Sequence, residues 1–314
     1  MWDFSRPYRT ELWYEHVKDK PLGMPLCIPS YNRPNAPIFS SSIVRSLGKD
    51  NLFVFIRNTT EQREKYAPLD RLVTLVPLPD WVTELGTTRE AIIQWGMANG
   101  YHNLVMVEDR AKNLAVLIPA LTRNNKLTLK IAAWSTPLVA LKIWEYMQQI
   151  YNTTLSYATF HENSWYPENI DKSPMVSGFT EAICVNLDDC KQYDLHYKST
   201  WEYGVEDSRF LWITLTKGLP AFQFTDIVYK EIPPEKMAQN TGSGLACTDI
   251  HAIQMARKDR IEKLLDLFVE NTLGKRWGDP LDGFRYTTLK DGQKELRFVW
   301  KKYWQPYYEQ HKVK

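Results

Sequence analysis

Short apolar runs that end abruptly in clusters of polar, charged residues constrain this chain more than any other feature. Residues 24–28 stop at Pro29-Ser30-Tyr31-Asn32-Arg33, residues 103–107 run straight into Glu108-Asp109-Arg110, and a later segment leads into Glu206-Asp207. Runs of this length rich in Val, Leu, Ile and Phe, bounded by turn residues, read as buried strands. In an open α/β sheet the ligand crevice lies beyond the carboxyl ends of the strands, so polar clusters at those ends are candidate site residues.

The pattern between the runs is helical. Ile43, Val44 and Leu47 predict a helix within residues 40–47, followed by a strand at 51–56, which is the strand, helix, strand order of a parallel pair. A third strand is expected at 71–78. Thr87 or Thr88 is expected to cap a helix reaching residue 99, where Asn99-Gly100 is a stop signal. After the strand at 103–107 the spacing predicts an amphipathic helix over 114–121, a strand over 127–134 and a helix opened by Thr136-Pro137. Residues 152–174, with Pro167 and Pro174, read as a long loop of the kind that often carries function. A strand at 181–187, a helix at 206–216 and a strand at 221–228 complete the pattern. Such alternation indicates a three-layer α/β domain.

Three parts follow: an N-terminal extension (1–23) expected to dock as an arm, a main domain (24–232), and a helical, basic and aromatic C-terminal extension (233–314). In the last, Ile253, Ile261, Leu264, Leu265 and Phe268 share one helix face, while Arg257, Lys258, Arg260 and Lys263 line the other. With 44% apolar and 24% charged residues and no run of membrane-spanning length, a soluble protein without membrane association is expected. The N-terminus lacks an apolar stretch before a cleavage site, so the expected compartment is the cytoplasm. Cys27, Cys184, Cys190 and Cys247 match no zinc or redox spacing and read as free thiols. A net charge of +2 means that any polyanion must meet a local patch, not a global field.

Each candidate site has a plain structural reading beside its functional one. Pro29 to Arg33 could hold a nucleobase and ribose, or simply turn the chain from strand to helix. Gly86-Thr87-Thr88-Arg89 could present helix N-terminal donors and a guanidinium to a diphosphate, or merely cap the helix. Glu108 and Asp109, at the mouth of a buried strand, call for a cation or strong donors, because isolated buried carboxylates are costly, or else simply fix local turns. Glu206 and Asp207 suit a helix start by charge alone, or supply a general base. At the C-terminus Trp300, Tyr303, Trp304, Tyr307 and Tyr308 fall at helical spacing among Arg297, Lys301, Lys302, Lys312 and Lys314, a stripe suited to core packing or to stacking on bases.

Taken in order, these motifs resemble the GT-A class of nucleotide-sugar glycosyltransferases, and more narrowly phage DNA glycosyltransferases of the TET-associated type. The resemblance covers about residues 24–232 and implies a Rossmann-like three-layer sandwich with a mostly parallel central sheet. It implies that Pro29, Tyr31 and Arg33 shape the nucleotide pocket with Arg89, Glu108, Asp109 and Arg110, that Asp109 and Glu108 hold Mn2+ or Mg2+, and that Asp207, with Glu206, serves catalysis. His251 is the nearest candidate to complete a metal shell, although a polar residue at a helix start is the plainer reading. The implied donor is a UDP-sugar and the implied acceptor a hydroxymethylated pyrimidine in phage DNA, shielded thereby from host nucleases, with Lys258, Arg260, Lys301 and Lys302 facing the DNA. One departure stands out: the family's metal motif ends in aspartate, and here that position is Arg110. Either a neighbouring acid holds the metal or a guanidinium replaces it. Transfer to a surface polysaccharide, and a non-catalytic nucleic-acid-binding protein on the same fold, stay open as alternatives.

Overall fold

The computed structural model describes residues 5–83, 85–160, 173, 182–197, 210–211, 213–215, 217–232, 269–270, 275–276, 284–288, 292 and 294–299. Nine strands form one sheet in the order β3-β2-β1-β4-β8-β7-β9-β5-β6, where β1 is Leu26–Pro29, β2 Leu52–Arg57, β3 Thr74–Leu78, β4 Asn103–Val107, β5 Ala111–Leu121, β6 Leu127–Ile131, β7 Leu155–Phe160, β8 Ala182–Asn186 and β9 Ala221–Glu231. The block β3-β2-β1-β4 is parallel throughout. Only β8 and β5 oppose it, so seven of the nine strands run in one direction and the sheet is mostly parallel, as the resemblance implies.

Helices cover both faces. Leu26, Val105, Cys184 and Ser156 are in register across β1, β4, β8 and β7 and share a face, whereas Leu104 and Val185 point the other way. On the first face α5 (Pro137–Ile150) is fixed by buried Trp144, whose Nε1 donates to Ser156 Oγ at 2.7 Å; the serine hydroxyl then donates to Gln148 Oε1 at 2.6 Å. On the opposite face lies α4 (Leu85–Ala98). A Cβ added at Gly96 would sit 2.8 Å from Leu104 Cδ2 and 2.8 Å from Leu187 Cδ1, so the missing side chain sets the distance between helix and sheet. Fully burying a Leu, Ile or Phe contributes roughly 1.5–3 kcal/mol, and dozens of such residues form one continuous core between these layers.

The short helices α2 (Ser42–Leu47), α3 (Thr60–Tyr66) and α6 (Leu187–Tyr193) join strands, and α1 (Arg9–Val17), from the N-terminal extension, packs mainly on α5 and also meets β5. The β7–β9 register jumps from Ala158↔Phe224 to Thr159↔Val228, which leaves Thr225, Asp226 and Ile227 as a bulge. There buried Asp226 accepts from Tyr8 OH at 2.8 Å and from Arg9 Nη2 at 2.7 Å, while Tyr14 stacks on Trp134 at 4.5 Å.

Four expectations change. Residues 114–121 are strand, not helix: β5 is flanked by β9 and β6, and a strand buried on both faces is apolar at nearly every position. Residues 155–160, read as loop, form β7, because Ser156 and Thr159 find buried partners that local sequence cannot reveal. Helix α4 starts at Leu85, so Thr87 lies inside the first turn and its hydroxyl accepts from Thr83 N at 3.0 Å. The C-terminal extension is not wholly helical, since β10 (Phe284–Thr288) and β11 (Lys294–Phe298) pair antiparallel and Phe284 joins the main core. No helix among the described residues is long and apolar enough to cross a membrane.

Candidate functional site

The strand order reverses at β1, which leads to β2 and β3 on one side and to β4 on the other. Chain connections diverge at such a switch point, leaving a crevice beyond the carboxyl ends. Pro29 to Arg33 leave β1 there, Glu108 to Arg110 leave β4, Arg57 ends β2, and the second turn of α4 brings Arg89. The sequence thus delivers four separated segments to one place.

A hydrogen-bonded chain closes the β1 loop onto the end of β4. Arg33 N–H donates to Tyr66 OH at 2.9 Å, the tyrosine pairs with Ser30 Oγ at 2.6 Å, and Ser30 Oγ donates to Asp109 Oδ2 at 2.8 Å. Because Ser30 spends its proton on the carboxylate, the Tyr66 hydroxyl donates to Ser30. Burial pushes the Tyr66 hydroxyl up to about 12 against the opposing pull of its hydrogen bonds, which keeps it protonated. The other oxygen, Asp109 Oδ1, pairs with Arg33 Nη1 at 3.0 Å. Burial raises the Asp109 carboxyl above its usual range, and the Arg33 charge and the Ser30 hydrogen bond only partly offset it. The backbone joins in, with Ile38 N donating to Asp109 O at 3.2 Å.

Next to it Asn32 takes a left-handed conformation, φ 60°, which Asn tolerates better than most residues. Buried Gln62 holds it from both ends: Asn32 N donates to Gln62 Oε1 at 3.1 Å and Gln62 Nε2 donates to Asn32 Oδ1 at 2.7 Å. This turn leaves the Tyr31 ring exposed, with the Arg57 guanidinium 5.7 Å from its centre. Arg57 in turn donates to Val82 O and Thr83 O, tying the end of β2 to the approach of α4.

Glu108 points away from Asp109, as neighbours at a strand end do. Its Oε2 accepts from Arg110 Nε at 3.1 Å and lies 3.1 Å from Arg110 Nη2, while its Oε1 is 3.8 Å from Arg89 Nη2. Arg110 also lies 3.4 Å from Glu231 at the end of β9. The side chains of Arg89 and Arg110 are 3% and 9% exposed, so both guanidinium charges sit at low solvent contact where their fields are weakly screened. Arg89 further lies 5.9 Å from the Tyr197 ring, which stacks on Phe210 at 4.3 Å. Glu90, one residue on, accepts from Tyr197 N at 2.8 Å and pairs with His196 Nδ1 at 2.8 Å, anchoring this neighbour of Arg89 to α4.

Pro29, Tyr31, Arg33, Arg89, Glu108, Asp109 and Arg110 are therefore brought together around the carboxyl ends of β1 and β4. Glu206, Asp207, His251, Lys258, Arg260, Lys301 and Lys302 lie outside the described residues. Sequence reasoning missed Tyr66, Gln62, Glu90, Tyr197 and Glu231. Glu231 alone had a signal, since it lies two residues past the apolar run Ile227-Val228-Tyr229.

Residues 108–110 do not fit the divalent cation that the sequence leads one to expect. A hard dication at a diphosphate site takes at least one or two carboxylates open towards it, with phosphates and waters completing its shell. Asp109 already accepts from Ser30 and Arg33 on one side, Glu108 is held by Arg110 beside Arg89 on the other, and the third position is itself a cation. Among the described residues no group of three or more His, Cys, Asp or Glu is placed to hold a metal ion.

No family model matches the chain, and no curated protein does. Among solved structures, glucosyl-3-phosphoglycerate synthase from Mycobacterium tuberculosis in complex with Mg2+ and UDP is 13% identical, with a TM-score of 0.40 over 93% of this chain and 92% of that one. Mannosyl-3-phosphoglycerate synthase from Rubrobacter xylanophilus is 10% identical, with a TM-score of 0.41 over 93% and 94%. GalNAc-T7 with UDP, GalNAc and Mn2+ is 11% identical, with a TM-score of 0.45 over 90% and 65%.

Proposed function

We propose that this chain is a glycosyltransferase that moves a sugar from a UDP-sugar to the hydroxyl of a hydroxymethylated pyrimidine in DNA. The observation that carries the reading is the convergence of Tyr31, Arg33, Arg89 and Arg110 with two acids at the switch-point crevice between β1 and β4. An exposed aromatic ring next to clustered guanidinium groups suits a nucleobase joined to a diphosphate. The order of motifs that resembles DNA-acting members of the GT-A class, together with the basic residues Lys258, Arg260, Lys301 and Lys302, supports DNA as acceptor.

In this reading the acceptor oxygen attacks C1 of the donor sugar. The new C1–O bond forms as the bond from C1 to the diphosphate oxygen breaks, and that electron pair leaves on the nucleoside diphosphate. The acceptor proton passes to a carboxylate, for which Asp207 beside Glu206 is the candidate. Tyr31, Pro29 and Arg33 orient the nucleoside, Arg89 faces the diphosphate, and the Ser30–Asp109–Arg33 closure holds the loop in place. An acceptor base must leave the helical stack to reach such a crevice.

The test is a panel of nucleotide sugars incubated with DNA containing hydroxymethylated or ordinary pyrimidines, read by mass of the released nucleosides. One added sugar on the hydroxymethylated base alone is expected. Transfer only to a glycan would move the acceptor to polysaccharide, and DNA binding without donor turnover would identify a non-catalytic binding protein.

A further inference from the structure

We infer that the donor diphosphate is held by the Arg89–Arg110 guanidinium pair in place of a divalent cation, with Glu108 as the residue that positions the pair. The inference rests on the glycosyltransferase reading above and sets how that site handles charge. A departing nucleoside diphosphate gains negative charge as its bond to the sugar breaks, so some positive group must lie ready at its oxygens. At the end of β4, where two successive acids would suggest a metal, the carboxylates face opposite ways and each is engaged by arginine. A dication entering beside Glu108 would meet Arg89 and Arg110 as like charges and would have to displace Arg110 from the carboxylate. A diphosphate meets the same guanidinium groups as ligands, since their planar forks bind phosphate oxygens bidentately.

The geometry is set in advance. Glu108 accepts from Arg110 through two nitrogens at 3.1 Å and faces Arg89 at 3.8 Å, so one carboxylate orients cations from two different elements. Glu231 approaches Arg110 at 3.4 Å from β9, a second brace. Arg89 is fixed further by its place in the second turn of α4 and by the Tyr197 ring 5.9 Å away. Asp109, the other acid, serves as a brace of the β1 loop, through Ser30 and Arg33.

The experiment uses the full chain, stripped with EDTA, and UDP as the probe, followed by calorimetry in EDTA and in Mn2+, with Mn2+ binding to the free protein measured by electron paramagnetic resonance. Expected are UDP affinities within about threefold in the two buffers and no stoichiometric Mn2+ site. Arg110→Ala should weaken UDP binding in EDTA at least about tenfold, the loss of one charge-assisted phosphate contact, and Arg110→Lys should recover it only in part. Arg110→Asp should bind UDP poorly in EDTA and regain affinity with Mn2+; melting curves establish that each variant is folded, and the resonance measurement on the unmodified chain does not depend on any variant. UDP binding by the unmodified chain that requires Mn2+, or unchanged binding in folded Arg110→Ala, overturns the inference and leaves the glycosyltransferase reading standing. Absence of binding by UDP and by every donor of the panel in both buffers overturns both.

Discussion

Replacing Asp109 tests whether this carboxylate braces the β1 loop, and two substitutions should behave very differently. Asp109 is 3% exposed and accepts from Ser30 Oγ and Arg33 Nη1. Asp109→Ala leaves a buried hydroxyl and a mostly buried guanidinium without that acceptor. Hydrogen bonds to charged groups are worth about 1.5–3 kcal/mol each, and the burial that raises the Asp109 carboxyl offsets part of the sum. A net loss of about 2–3 kcal/mol is expected. Asp109→Asn keeps an acceptor oxygen for one of the two donors and replaces the other with an NH2 group, but it also removes the charge that burial disfavours, so it should cost about 1 kcal/mol, less than alanine. The sign with pH follows from the raised value. Because the folded carboxyl titrates above its unfolded 3.8, the ionised form carries a penalty that is full above the folded value and gone below the unfolded one. The unmodified protein should therefore gain on Asp109→Asn as pH falls through that window. Urea unfolding at several pH values measures all of this, and a double-mutant cycle with Arg33→Ala should return a coupling of about 1–2 kcal/mol. Asp109→Ala within about 0.5 kcal/mol of the unmodified protein, with no coupling to Arg33, would refute the brace.

Two further outcomes follow from the packing around α4. Gly96→Ala should cost about 1–3 kcal/mol in urea unfolding despite the better helix propensity of Ala, because its Cβ would press on Leu104 and Leu187; a neutral or stabilising result would mean that the helix sits farther from the sheet. At His196 burial alone would lower the imidazole value, and the pairing with Glu90 and Asp194 outweighs it and raises it. Stability from this pair is full below the unfolded value near 6.5 and is lost as pH rises through the folded one. His196→Ala should thus reduce the melting temperature more at pH 6 than at pH 9, by an amount worth at most about 1 kcal/mol given its exposure, and an equal effect at both would exclude the ion pair.

How much of this was legible beforehand depended on whether a residue's role was local. The strands β1, β2 and β4 and their polar ends were readable because apolar β-branched runs punctuated by Pro, Asn and acids are signals carried within a few residues. Strand β5 was not, since Leu114, Leu117, Ile118 and Leu121 fit a helix face as well as a buried strand. Pro119 held the deciding hint: it would break a helix, whereas in β5 it pairs only with β6, beyond Val116 where the pairing with β9 ends. Strand β7 gave less still, because its buried Ser156 is acceptable only once Trp144 and Gln148 are beside it.

By itself, then, the sequence determined the α/β class, the carboxyl-end clusters and the presence of Arg110 where an acid was expected. Only the tertiary structure decided what those charges do. Side-chain direction at a strand end is set by the pleat, and pairing partners come from segments far apart in the chain: Tyr66 and Arg33 reach Asp109 through Ser30 and directly, while Arg89 and Glu231 gather around Glu108 and Arg110. Two adjacent acids that read alike in one dimension are thereby sent to opposite tasks, one closing a loop and the other aligning guanidinium groups.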